Sequence, residues 1–213
     1  MSYNSHDFLE FALKRGVLQF GEFRTKAGRM SPYFFNFGLF NTGNDLTLLG
    51  SFYADAIISS GVKFDVLFGP AYKGIPIAVA TAIALAKKYI DVPIVFNRKE
   101  AKGHGEKGLL VGGNLLRRVL VLDDVISAGT SITESQATIK SNGGELAGVC
   151  VALDRMERGD GNLSAIQEVE KKFDTRVTSI TNLDSLIVFL SSKPEYLHQV
   201  DKLKLYKSKY RPY

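Results

Sequence analysis

Two adjacent carboxylates, Asp123 and Asp124, follow the apolar run Val119 to Leu122 and precede a stretch of small residues that includes Ser127, Ala128, Gly129, Thr130 and Ser131. The two halves suit opposite chemistries. Small residues at a helix start let backbone N–H groups and hydroxyls converge on a phosphate, assisted by the helix dipole. Carboxylates repel that phosphate, but they accept hydrogen bonds from sugar hydroxyls or from the water shell of magnesium. A ribose carrying a 5-phosphate meets both demands. The plainer alternative is a capping box made by Ser131 and Glu134, with the aspartates merely ending a strand. Capping explains Ser131 and Glu134 but leaves the acidic pair without a reason.

A second polar stretch, Arg98 to Lys107, carries Arg98, Lys99, Lys102 and His104 together with Gly103 and Gly105. Residues Gly103 to Gly108 match the G-x-G-x-x-G dinucleotide pattern, and Asp123 lies about 20 residues onward, as that fingerprint requires. The context is wrong for it. Five polar or small residues, 98 to 102, separate the preceding apolar run from Gly103, and the stretch after Gly108 holds Gly112 and Gly113 where a helix should begin. The segment reads instead as a charged surface loop of about ten residues, the kind that serves as a lid over a site.

The elements around these residues alternate. Apolar runs of β type fall at 65–68, 93–96, 118–122, 146–153 and 176–180, and helical spacing at 75–89, 131–142, 163–172 and 182–191. Near-continuous apolar strands separated by helices predict an α/β fold, a central mostly parallel sheet flanked by helices on both faces. Ligands of such sheets collect beyond the carboxyl ends of the strands, where the acidic pair falls. Ahead of this core, a helix is expected over 6–15, closed by Gly16, and another over about 45–60, opened by Asn44 or Asp45 and closed by Gly61. Between them, residues 17–40 are rich in Phe and Tyr and broken by Gly21, Gly28 and Pro32, which predicts a small unit of short strands and turns beside the main fold.

At 213 residues with 45% apolar side chains, the chain fits one compact domain. Its apolar runs are all shorter than the roughly 18 to 20 residues of a membrane span. The polar start, with Asp7 and Glu10, is unlike a signal peptide, so a cytoplasmic protein is expected. The single cysteine, Cys150, excludes an intrachain disulfide, and its apolar setting favours a core thiol over a nucleophile. The net charge of +5 is concentrated at the end, since residues 201–213 hold five Lys or Arg against one Asp. The other 200 residues are left at about +1, too little for a nucleic-acid surface.

The segment Arg118 to Ser131 resembles the phosphoribosyl pyrophosphate (PRPP) signature of type I phosphoribosyltransferases. Phe96 to Lys102 with His104-Gly105-Glu106 is similar to the catalytic loop of orotate phosphoribosyltransferases, and Phe23 to Asn36, with Lys26, Gly28, Arg29 and Ser31 to Phe35, to their amino-terminal substrate segment. Phe68 to Pro76, Leu153 to Arg155 and Ser164 to Val169 match further blocks, in consistent order. The resemblance departs at Gly103, where the family usually has Asp, and at Lys107, where it usually has Gly.

That resemblance implies transfer of the phosphoribosyl group from PRPP to orotate, with magnesium held mainly by PRPP and water and reached by Asp123 and Asp124 through water. It implies Lys73, Arg98, Lys102, His104 and Asp124 as catalytic groups. Lys26, Tyr72, Lys73, Arg98, Lys99, Lys102 and His104 would bind PRPP, along with the loop from Asp123 and Asp124 through Val125, Ile126, Ser127 and Ala128 to Gly129, Thr130 and Ser131. Orotate would meet Lys26, Phe34, Phe35, Ser127 and Arg155. Residues 1–40 and part of the carboxyl-terminal region would form a hood over the active site, and the lid of each subunit of a homodimer would reach its partner's site. Two rivals remain. A non-catalytic PRPP-sensing regulator should carry a nucleic-acid domain or basic face, and a purine phosphoribosyltransferase fits neither the amino-terminal segment nor the loop.

Overall fold

The computed structural model of the chain describes residues 4–25, 27–102, 108–126, 129–159 and 161–212, with the backbone alone at 101, 102 and 108. Helix α1 (Ser5–Lys14) opens on a reciprocal cap. The Asn4 side chain accepts from the Asp7 amide, and the Asp7 carboxylate accepts from the Asn4 amide. Its Phe8, Leu9 and Ala12 face inward, on the apolar stripe the spacing predicts. Strands β1 (Leu18–Arg24) and β2 (Met30–Phe35) then form an antiparallel hairpin, the small unit expected over 17–40. Helix α2 (Gly43–Ser60) begins two residues before Asp45, because Thr42 is the cap and Asp45 completes its box; Gly61, at φ 69°, ends it as anticipated.

The body of the molecule comprises β3 (Val66–Gly69), α3 (Gly74–Ala86), β4 (Ile94–Lys102), β5 (Gly108–Gly112), β6 (Arg118–Val125), α4 (Thr130–Ser141), β7 (Glu145–Asp154), α5 (Ala165–Phe173), β8 (Val177–Asn182), α6 (Leu183–Ser191) and α7 (Leu197–Tyr210). Six strands form one sheet in the order β5-β4-β3-β6-β7-β8, parallel except for the β4–β5 pair. Alternate residues feed two cores. Leu120, Leu122, Cys150 and Ala152 pack with α1, α2, α3 and α6 on one face, while Val119, Val121, Val149 and Val151 pack with α4 and α5 on the other. Burial on both faces is why these strands read as unbroken apolar runs. Cys150 is fully buried and burial pushes its thiol up, so it is a core side chain.

One expectation changes. The stretch from Arg98 is not a loop from its start, since β4 continues to Lys102 and pairs with β5, Asn97 opposite Leu110 and Lys102 opposite Gly108. The polar residues of this strand run past the end of β3, whose last pair is Gly69 with Phe96, and pair with β5 alone, so no buried layer demands apolar alternation there. The basic tail folds as α7, which buries Val200, Leu203 and Tyr206 and leaves its lysines outward.

Candidate active site

The carboxyl ends of β3, β4, β6 and β7 point the same way, and the polar residues collect there. Beyond β3 the chain turns through Pro70 to Lys73 into α3. A Cβ on Gly74 would lie 2.5 Å from Pro70 Cδ and 2.8 Å from the Leu122 carbonyl oxygen, so only glycine lets the helix start press this closely on the sheet. The turn is held from the neighbouring strand, because the Asn97 side chain accepts from the Ala71 amide at 2.9 Å.

Asp123 and Asp124 end β6. Asp123 accepts from the Ser131 hydroxyl at 2.7 Å and from the Asp124 amide at 2.9 Å, while Tyr53, buried on α2, donates to the Asp123 carbonyl at 2.7 Å. Burial, and then the charge of Asp124 beside it, push the Asp123 carboxyl up to about 6. Asp124 accepts from Lys73 Nζ at 2.6 Å, an ion pair whose lysine is more than half exposed.

Helix α4 does not begin with the Ser131–Glu134 capping box. Its cap is Gly129, left-handed at φ 67°, with no side-chain bond to the first turn. Among the described residues the first carbonyl-bonded amide of the helix is that of Thr133, to Gly129 at 2.9 Å, and the amides ahead of it have no partner among those residues. Ser131 is thereby free to hold Asp123. Gly129, Thr130, Ser131, both aspartates, Val125, Ile126, Tyr72, Lys73 and Lys99 line one cleft of about 570 Å³. Lys99 Nζ lies 5.0 Å from the centre of the exposed Tyr72 ring. A helix start, two carboxylates on the adjoining strand and the cations Lys73 and Lys99 thus share one cavity.

Other expected residues lie elsewhere. Arg98 lines an adjoining hollow with Tyr72, Asn97 and Lys99. Phe34 is 43% exposed on the hairpin and packs against Phe23 at 5.5 Å, whereas Phe35 is a core aromatic beside Phe8 and Phe40. Arg155, just past β7, is buried, and it bonds to Glu157 and to Ser31 of the hairpin. Lys26, His104, Ser127 and Ala128 fall outside the described residues, as does the Lys102 side chain. Tyr53, Asn97, Glu157 and Tyr206 were not singled out from the sequence. Asn97 stood inside a recognised block and could have been; Tyr53 lies 70 residues from its partner, with no local signal.

A family model described as a phosphoribosyl transferase domain matches residues 47–181. The orotate phosphoribosyltransferase of Edwardsiella ictaluri is 59% identical over 204 residues, covering 95% of this chain and 96% of that protein. That of Shigella flexneri is 56% identical over 99% of both chains. The crystal structure of the Francisella tularensis orotate phosphoribosyltransferase superposes with a TM-score of 0.85 at 45% identity, over 96% of this chain and 98% of that one. With the acidic pair, the glycine-capped helix start and the cations around one cleft, these likenesses establish that the chain belongs to the orotate phosphoribosyltransferase family.

Proposed function

We propose that the chain transfers the 5-phosphoribosyl group of PRPP to orotate, giving orotidine 5′-phosphate and pyrophosphate, a step of pyrimidine nucleotide synthesis. The bond from the anomeric carbon to the diphosphate oxygen breaks, a bond to N1 of orotate forms, and the N1 proton is lost. The observation that carries this reading is the shared cleft, in which Asp123 and Asp124 lie beside the open start of α4.

The 5-phosphate sits at the amides and hydroxyls of Gly129, Thr130 and Ser131, with Ser127 and Ala128 completing the loop. The ribose hydroxyls donate to Asp123 and Asp124. Lys73 is held by Asp124 through a half-exposed pair, the kind that contributes little and exchanges readily, so it can turn to the diphosphate. Lys26, Tyr72, Arg98, Lys99, Lys102 and His104 are the other groups we assign to PRPP, with Lys102 and His104 acting on the leaving diphosphate. Among the described residues no cluster of three or more His, Cys, Asp or Glu could hold a metal. The two aspartates suit magnesium through its water shell, and the diphosphate would supply the remaining oxygens. When bound, magnesium supplies positive charge where the departing oxygens become anionic.

Orotate meets Phe34, whose ring is exposed, and Arg155, whose guanidinium suits a carboxylate; Lys26, Ser127 and the Phe35 backbone complete the assignment. Residues 1–40 with α7 serve as a hood over this site in a single-domain protein. The active form is a two-fold dimer in which the β4–β5 hairpin of each subunit serves its partner. Support comes from Arg98, which lies outside the cleft it is assigned to, and from the exposed apolar Val79 and Ile83 of α3. No helix among the described residues is long and apolar enough to cross a membrane, and the reading requires neither membrane nor nucleic acid; cytoplasmic action is part of it. Product analysis tests the function. One orotidine 5′-phosphate and one pyrophosphate should appear per orotate consumed, and orotate loss without pyrophosphate would overturn the assignment.

A further inference from the structure

Arg155 is held on three sides. Its Nε donates to Glu157 Oε1 at 2.6 Å, its Nη2 donates to the Ser31 hydroxyl at 2.8 Å, and its guanidinium carbon lies 4.1 Å from the centre of the Tyr33 ring. Glu157 is itself shared. Its Oε1 accepts from the Tyr206 hydroxyl at 2.8 Å, and its Oε2 lies 3.3 Å from Arg29 Nη1. Three segments far apart in sequence therefore meet at one guanidinium: the hairpin through Ser31 and Arg29, the end of β7, and α7 through Tyr206.

The arrangement has a chemical reading. A guanidinium offers five N–H donors in a rigid fork, and here Nε and one arm are already engaged. Among the described residues no hydrogen bond engages Nη1, which leaves its two N–H groups as the donors a ligand carboxylate would use. Glu157 answers to two guanidiniums, the buried Arg155 and the partly exposed Arg29. Without Glu157, Arg155 would lose the acceptor that sets its rotation. Glu157 would also compete with an incoming carboxylate, unless its own charge were drawn off by Tyr206 and Arg29. Burial, then the Glu157 charge, push the Tyr206 hydroxyl up to about 12, so it keeps its proton and stays a donor.

We propose that Glu157 and Tyr206 are positioning residues for substrate recognition: they fix the Arg155 guanidinium with its Nη1 edge presented to the carboxylate of orotate, and α7 is thereby part of the specificity apparatus. The inference rests on the reading that Arg155 meets that carboxylate. Neither Glu157 nor Tyr206 touches the reacting atoms.

Steady-state kinetics on the full chain test it, with Tyr206→Phe, Glu157→Gln and Arg155→Ala compared for the KM of orotate, the KM of PRPP and kcat. Loss of one hydrogen bond of this kind corresponds to about a 3- to 10-fold rise in the orotate KM of Tyr206→Phe. Glu157→Gln should raise it more, with the PRPP KM and kcat of both variants within about twofold of the parent by the same reckoning. If Arg155→Ala raises the orotate KM while Tyr206→Phe and Glu157→Gln behave as the parent, the positioning role is overturned and the recognition reading stands. If Arg155→Ala leaves the orotate KM unchanged, the recognition reading itself fails. Equal loss in both KM values and kcat would mark a purely structural role and overturn the proposal. Tyr206→Phe removes a single oxygen, so it keeps the test decisive should Glu157→Gln fail to fold.

Discussion

Asp123 is buried beside a second carboxylate, and its carboxyl is pushed up to about 6 by that burial and then by the Asp124 charge. A fold that raises an acid's pKa favours the protonated form. Its cost is therefore absent below the ordinary carboxylate range, grows as pH rises through about 6 and is complete above it. Asp123→Asn should accordingly raise Tm at pH 7.5 by about 2 °C or more, the gain shrinking towards pH 5, while activity falls; an unchanged or lower Tm at pH 7.5 would contradict this. In the proposed reading the ionised form is the one that accepts ribose hydroxyls. In the parent protein kcat/KM for PRPP should thus fall as pH drops below about 6. A flat profile down to pH 5 would remove Asp123 from the sugar site. At this scale the sequence was most informative where chemistry is local. The acidic pair and small-residue loop stand within nine residues, whereas the Tyr53 and Glu157 contacts depend on tertiary placement that no spacing encodes. Arg155 could be picked out by resemblance, but its burial against Ser31 and Tyr206 could not.

Helix α4 shows how an element tunes the site. Its left-handed cap at Gly129 makes no side-chain bond to the first turn, and the Ser131 hydroxyl is given to Asp123. Gly129→Ala would place a Cβ 3.0 Å from Val169 Cγ2 in a conformation that costs an L-residue about 1 to 2 kcal/mol. Lower stability and a higher PRPP KM should appear together, and unchanged values of both would count against the assigned phosphate site. The β4–β5 hairpin carries the charges assigned to the diphosphate. Lys102→Ala or His104→Ala should reduce kcat by at least about 100-fold with folding intact, and near-normal turnover would clear either residue of a catalytic role. Strands and helices of the sheet body were readable because two-sided burial imposes apolar runs. The outer half of β4 and α7 were not, since a polar extension paired with β5 alone and a helix burying only Val200, Leu203 and Tyr206 leave little periodic signal.

For the whole molecule, the sheet order puts β3, β4, β6 and β7 side by side, so residues from Lys73 to Asp124 reach one cleft although they are widely spaced in sequence. The hairpin and α7 close on the end of β7 through the Arg155 network. If each β4–β5 hairpin serves a partner subunit, mixing a Lys102→Ala chain with an Asp123→Asn/Asp124→Asn chain should restore part of the activity, and no recovery would argue for self-contained sites. The central claim, a phosphoribosyl donor gripped by the acids and the start of α4 with orotate as acceptor, is tested most directly by spectrophotometry of orotate with PRPP and magnesium, run beside uracil and hypoxanthine. Orotate should be consumed only when PRPP is present, and the Asp123→Asn/Asp124→Asn chain should abolish the signal. Unchanged orotate absorbance while hypoxanthine reacts, or full activity in that double variant, would contradict the account.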